Sequence, residues 1–378
     1  MDTERLRILH VLPTRAMEYG GPVTVAEHMV DELLRLGVKA AIFPSKVENS
    51  NRSCLSVWKE LDHTIAGSDI VHIHGLWNFH ANFAAHAAQW RRTPFLVTPH
   101  GMLDRWALRR SRLKKIAYGF LFERRNLRKA ARVQFFNDEE LIESQDFEPR
   151  LKAFVLPNGV QTDLWRSVPG RNAFLETHPE FRGRVVVLFL GRLHPKKGFD
   201  LLIPAFATVS QRINGLHLVI AGPDENGYRQ KIEEMVKQCG VSDQVTFTGM
   251  VQGETKREIL AASDFFILTS HQEGDSIAVK EAMAAGLPVI ITNSCHFNEV
   301  AQEGAGIVVP QDIKEITKAL EKMATEAQRE EMGKRAANLI AKHYTWTRIV
   351  EQLLETYKEI LISENPKPIN NNARNNHA

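Results

Sequence analysis

Cysteine is scarce in this chain of 378 residues, which has only Cys54, Cys239 and Cys295. They are odd in number, scattered and without metal-ligand spacing. That argues against a disulfide framework or a structural zinc site and points to a reducing, cytoplasmic setting. Net charge is also small, at +3, too little to argue for nucleic acid by itself. No apolar run approaches the ~20 residues that span a bilayer. The opening MDTERLRILHVLP sets charges directly before one strand-length run, unlike a secretory leader. Three further signatures are missing: the G-x-G-x-x-G of dinucleotide binders, the G-x-x-x-x-G-K-[ST] of P-loops, and any D-x-D. The first absence disfavours a nicotinamide oxidoreductase, and the last removes the usual acidic clamp for a divalent metal.

What is present is an alternation of apolar runs with helical stretches, the pattern of doubly wound α/β sheets. Arg7 to Leu12 reads as the first strand, followed by Gly20-Gly21-Pro22 and an amphipathic helix from about Val23 to Leu36. Paired glycines let the backbone approach a ligand with no Cβ in the way, although G-G-P is also a common turn. Further strands are expected at Ala40–Phe43, Ile70–His74, Phe95–Thr98, Val133–Phe136 and Phe154–Leu156. Two of these run into His-Gly, at His74-Gly75 and His100-Gly101, where ligands of open α/β sheets gather. For His74 a structural and a functional role weigh equally. His100 reads as functional, because Thr98-Pro99-His100-Gly101 turns sharply at the strand end.

Arg105 to Arg132 carries eleven Lys/Arg and one acid, Glu123, with Trp106, Leu113, Ile116, Phe120 and Leu127 interleaved at helical spacing. Such a stretch suits either the solvated face of a core helix or contact with an anionic membrane surface. No motif supports nucleic acid. The irregular segment Asp163 to Arg182 marks the domain boundary, placed after residue 165.

A second alternating series begins at Arg184 to Leu190 and runs into GRLHPKKG. Arg192 and Lys197, in a glycine-bounded loop at a strand's carboxyl end, suit a pyrophosphate. Strands follow at Leu216–Ala221, Gln244–Thr248, Phe265–Leu268, Val289–Thr292 and Ile307–Val309. After Phe265–Leu268 comes SHQEGDSIAVKEAMAAGLP, in which Glu273, Gly274 and Asp275 form a polar loop and Ser276 offers an N-cap. A helix runs from Ile277 until Gly286 and Pro288 stop it. Backbone N–H groups at its start would receive an anion. Glu273 or Glu281 taken singly reads as an ordinary charged surface residue, whereas the whole string is far more specific. A last helix opens at Trp346 and ends near 363, and residues 364–378 read as a disordered tail.

The string EGDSIAVKEAMAAGLPVI resembles the Glu-x7-Glu motif of retaining glycosyltransferases of family 4, and GRLHPKKG resembles that family's diphosphate-binding segment. PNGV at 157–160, Gly20-Gly21 and the late Trp346 agree with it, so the likeness extends to about residue 362.

The resemblance implies a GT-B fold, in which two Rossmann-like domains face each other across a cleft. An acceptor-binding domain would span 1–165, with helix 346–363 crossing back onto it, and a donor-binding domain 166–345. It implies that Glu281 takes ribose hydroxyls, Glu273 the donor sugar, and Arg192 and Lys197 the diphosphate. Backbone N–H groups of Gly274, Asp275, Ser276 and the start of the helix at Ile277 would assist. The base would lie near Met250 and Val251, Gly20 and Gly21 would close on the phosphates, and His100 would reach the transferred sugar. Ser276, where relatives often carry Gly, leaves the sugar open.

The expected activity is metal-independent and needs no cofactor beyond the nucleotide-sugar donor. A hexose would move from a UDP-sugar, UDP-glucose first and GDP-mannose second, to a glycan or lipid-linked acceptor in polysaccharide biosynthesis. A nucleotide-sugar epimerase and an inactive donor-binding subunit stay open. The expected location is the cytoplasm, with contact at the inner face of the plasma membrane through 105–132.

Overall fold

The computed structural model describes residues 6–14, 21–46, 54–104, 108, 118, 122–165, 176 and 181–364. The chain divides into two compact units, Met1–Asn158 with Trp346–Ala378, and Gly159–Thr345. The division falls after Asn158 rather than after residue 165. Val160 pairs with Thr345, and Trp165 packs on the second unit's core, so 159–165 go with that unit.

The first unit runs β1 (Arg7–Thr14), α1 (Gly21–Arg35), β2 (Lys39–Lys46), α2 (Cys54–Ala66), β3 (Ile70–His74), α3 (Phe79–Arg91), β4 (Phe95–Thr98), α4 (Arg124–Lys129), β5 (Arg132–Phe135), α5 (Asp138–Gln145) and β6 (Ala153–Val155). Its six strands are parallel, in the order β2-β1-β3-β4-β5-β6. β3 and β4 are buried along their whole length, as expected of strands covered on both faces.

The second unit runs β7 (Val185–Leu190), α6 (Phe199–Ser210), β8 (Leu216–Ala221), α7 (Tyr228–Gln238), β9 (Val245–Gly249), α8 (Gly253–Ala262), β10 (Phe265–Leu268), α9 (Ile277–Ala284), β11 (Val289–Thr292), α10 (Glu299–Gln302), β12 (Gly306–Val309), α11 (Ile313–Thr325) and α12 (Arg329–His343). Its strands are also parallel, in the order β12-β11-β10-β7-β8-β9. The central β7, β10 and β11 are the apolar runs VVVLFL, FFIL and VIIT.

The chain then returns to the first unit as α13 (Trp346–Glu364). α13 packs on α1, where the Thr347 hydroxyl donates to Glu32 at 2.6 Å and Trp346 lies against His28. Among the described residues no helix is long and apolar enough to cross a membrane.

Candidate donor site

Two strand-end loops of the second unit are sewn together. Gly198, at φ 70°, lets the 3-10 turn Pro195–Lys197 pass under the end of β10, where a Cβ would strike the Thr269 carbonyl oxygen. The Thr269 hydroxyl donates to Gly198 O at 2.9 Å, and the His271 N–H donates to Lys196 O at 2.7 Å. These bonds fix the GRLHPKKG loop against the loop that precedes α9.

The stitching brings Lys197 and Glu273 together, with Nζ 2.6 Å from Oε1 and both side chains largely buried. The Ser270 hydroxyl donates to the same carboxylate oxygen at 2.5 Å, and the Glu273 N–H donates to Ser294 O at 3.1 Å. Ser276 caps α9, its side chain accepting from the Val279 N–H. One turn further on, Glu281 meets Lys256 of α8 at 2.5 Å. Burial pushes the Glu281 carboxyl up, and Lys256 opposes that. The two motif glutamates therefore each carry their own lysine, at separate points along one loop and helix.

Asp275 turns inward. Its carboxylate lies 2.7 Å from Lys280 Nζ, and Lys280 is 2% exposed. That ammonium also stands 4.8 Å from the Tyr344 ring centre, while burial lowers its pKa against the pull of Asp275 and Glu299. Asp275 thus anchors the loop through its side chain. Gly274 has open space where a Cβ would stand. Ile277 is the first residue of α9.

Arg192 is mostly exposed and is held by Glu225 at 2.5 Å, apart from the Lys197 pair. Met250 and Val251, beyond β9, line a largely apolar cavity of about 260 Å³ with Val186, Val219, Thr246 and Ile259.

The remaining expected site residues lie in the first unit. Gly21 opens α1 with nothing near its Cβ position, and Gly20 lies outside the described residues. So does most of 105–132. Its described end, α4, carries Arg124, Arg125, Arg128 and Lys129. His100 follows β4 at φ 54°. Glu140 braces its turn, accepting from the Gly101 N–H at 2.7 Å and from the Phe136 N–H at 2.9 Å. His74 engages His100 Nε2 at 3.0 Å, and burial drives the His100 ring down to about 3. Lys256, Lys280 and Ser270 were not singled out from the sequence. Ser270 and Lys280 lie inside the recognised string, but nothing local marks Lys256.

Residues 171–339 match the family model "Glycosyl transferases group 1", and residues 50–159 match "Glycosyl transferase 4-like domain". The chain is 30% identical over 219 residues to the GDP-mannose-dependent alpha-(1-6)-phosphatidylinositol monomannoside mannosyltransferase of Mycobacterium tuberculosis, covering 55% of this chain and 56% of that one. It is 24% identical to the GDP-mannose:cellobiosyl-diphosphopolyprenol alpha-mannosyltransferase of Xanthomonas oryzae, over 79% of this chain and 76% of the other. The chain spans about half the length of several curated relatives it matches. Among solved structures, sucrose-phosphate synthase from Thermosynechococcus elongatus superposes with a TM-score of 0.74 at 18% identity, over 95% of this chain and 100% of that one. Anabaena HepE in complex with UDP-glucose gives 0.73 at 17% identity, over 94% and 100%. At such identities these likenesses speak for the fold alone.

Proposed function

The chain belongs to the group 1, 4-like glycosyltransferases of GT-B fold, and from that membership we propose that it moves a hexose from a nucleotide sugar to an acceptor hydroxyl with retention of configuration. The observation that carries the reading is the pairing of Glu273 with Lys197 in the loop before α9 and of Glu281 with Lys256 within α9 itself. A nucleotide sugar needs hydroxyl-binding carboxylates at two separate points and positive charge at the diphosphate between them. Lys197, Arg192 and the N-terminus of α9 would supply that charge with no metal ion.

In this reaction the bond from the sugar's C1 to the diphosphate oxygen breaks, and its electron pair stays on that oxygen. The acceptor hydroxyl attacks C1 from the same face, and its proton passes to the leaving phosphate. Lys197 would exchange part of its contact with Glu273 for the departing oxygen, leaving Glu273 to take sugar hydroxyls. The apolar cavity beside Met250 and Val251 suits the base.

Two donors are in play. UDP-glucose is the first choice from the sequence, and GDP-mannose appears in the names of two relatives. The acceptor class is a glycan or lipid-linked glycan, as in polysaccharide assembly, and the basic stretch 105–132 would hold the protein at an anionic membrane surface.

The experiment is nucleoside diphosphate release with each donor, with and without lipid-linked acceptors. Lys197→Ala and Glu281→Ala should each lower turnover roughly tenfold or more while the protein stays folded. Near-normal turnover in both would remove these assignments. Release of a rearranged sugar without acceptor would indicate an epimerase, and binding without release an inactive subunit.

A further inference from the structure

His10, His72 and His74 lie side by side across β1 and β3, fully buried, with candidate ligand nitrogens within 4.8 Å of one another. They are already committed to hydrogen bonds, and only His10 Nε2 meets no partner among the described residues. Burial holds His10 down to about 3 and His72 and His74 well below the ordinary histidine value. Each ring is therefore neutral and carries a single N–H.

Counting donors and acceptors assigns these protons. Gln134 Nε2 donates to Leu156 O at 2.9 Å, which turns its oxygen toward Thr98. The Thr98 hydroxyl gives its one proton to that oxygen at 3.0 Å, so it must accept from His72 Nε2 at 2.7 Å. His72 thus bears its proton on Nε2. Its Nδ1 accepts from the Tyr357 hydroxyl at 2.6 Å, which burial keeps protonated.

A second file of rings starts at His10. His10 Nδ1 lies 2.9 Å from His74 Nε2, and His74 Nδ1 lies 3.0 Å from His100 Nε2. One proton per ring permits two arrangements: all three protons on Nδ1, or all three on Nε2. The second would bury an N–H at His10 Nε2 with no acceptor. The first leaves only a bare lone pair there, and orphaned buried N–H groups are the rarer case.

We propose that His10 and His74 are positioning residues that keep the His100 proton on Nδ1, so that His100 offers a sugar or phosphate oxygen at the end of β4 a neutral hydrogen-bond donor and not a base. This rests on the glycosyltransfer reading above, and it adds a direction to the role expected of His100. Both nitrogens of His74 are spent on neighbouring rings, so its part is to orient His100.

The test is long-range 15N–1H correlation of the histidine rings in the full-length protein, with resonances assigned by single substitutions. His10, His74 and His100 should each be protonated on Nδ1, and His72 alone on Nε2. His74→Leu should release His100 into a mixture of both forms. Protonation of His100 on Nε2 in the unaltered protein overturns the proposal, as does an unchanged His100 spectrum in His74→Leu. If His74→Leu does not fold, the pattern in the unaltered protein still decides. Diphosphate release is measured separately with UDP-glucose and GDP-mannose. Its absence counts against the glycosyltransfer reading, while the ring pattern is judged independently.

Discussion

Single residues in the first unit make its stability depend on pH. His10, His72 and His74 are neutral in the fold because burial lowers their pKa, His10 to about 3, from an ordinary 6.5. As pH falls below 6.5 the unfolded chain takes up protons that the folded chain refuses. Stability is therefore full above 6.5 and drains away toward 3. Each ring contributes a slope of about 1.4 kcal/mol per pH unit, so three give about 4 kcal/mol per pH unit. Typical domain stabilities are about 5–15 kcal/mol, so a domain at the lower end of that range should unfold near pH 5. Urea melts across pH 4 to 8 read this directly, and His10→Asn, which cannot titrate, should flatten the slope by one ring's share. Stability that stays level between pH 6.5 and 5 would contradict the buried, neutral assignment.

At the level of elements, the site depends on how the loop before α9 is pinned. Lys280 points inward beneath the loop and holds Asp275, with Tyr344 beside its ammonium. Lys280→Met takes the cation from a carboxylate that is itself 10% exposed and should cost about 3–5 kcal/mol. The double variant Lys280→Met with Asp275→Asn removes both charges and should recover most of that loss. Denaturant midpoints of the two variants settle it, and a double variant no more stable than the single one would show that the pair does not act as a unit. The central strands of both sheets could be read from the sequence because their apolar runs are covered on both faces. Strand ends could not: β2 runs on to Lys46 because β1 pairs with it that far, Thr14 to Lys46. The alanine-rich α3 gave no period strong enough to be named. Glu273 and Glu281 could be found because their spacing is local. The lysine that meets Glu281 comes from α8, and the hydroxyl that holds His72 comes from α13. Topology alone brings such distant partners together.

For the molecule as a whole, the question is how a chain without a described membrane-crossing helix would meet a lipid-linked acceptor. The stretch from Arg105 to Arg132 holds eleven cations and one acid against a whole-chain excess of only +3, so positive charge is concentrated there while the rest of the chain carries a net charge of −7. Near an anionic surface each cation contributes about 1 kcal/mol, so even half of them at once would bind the protein at low ionic strength. The attraction weakens as salt shortens the screening length from about 30 Å at 0.01 M to about 8 Å at 0.15 M. Co-sedimentation should therefore pellet the protein with phosphatidylglycerol vesicles and not with phosphatidylcholine vesicles, and added salt should release it. Replacing Arg109, Arg110, Lys114 and Lys115 by Gln should weaken pelleting and lower the salt needed for release, while diphosphate release with a soluble acceptor continues. Equal pelleting on neutral and anionic vesicles, or none on either at low salt, would mean that the basic stretch serves the fold and not a membrane.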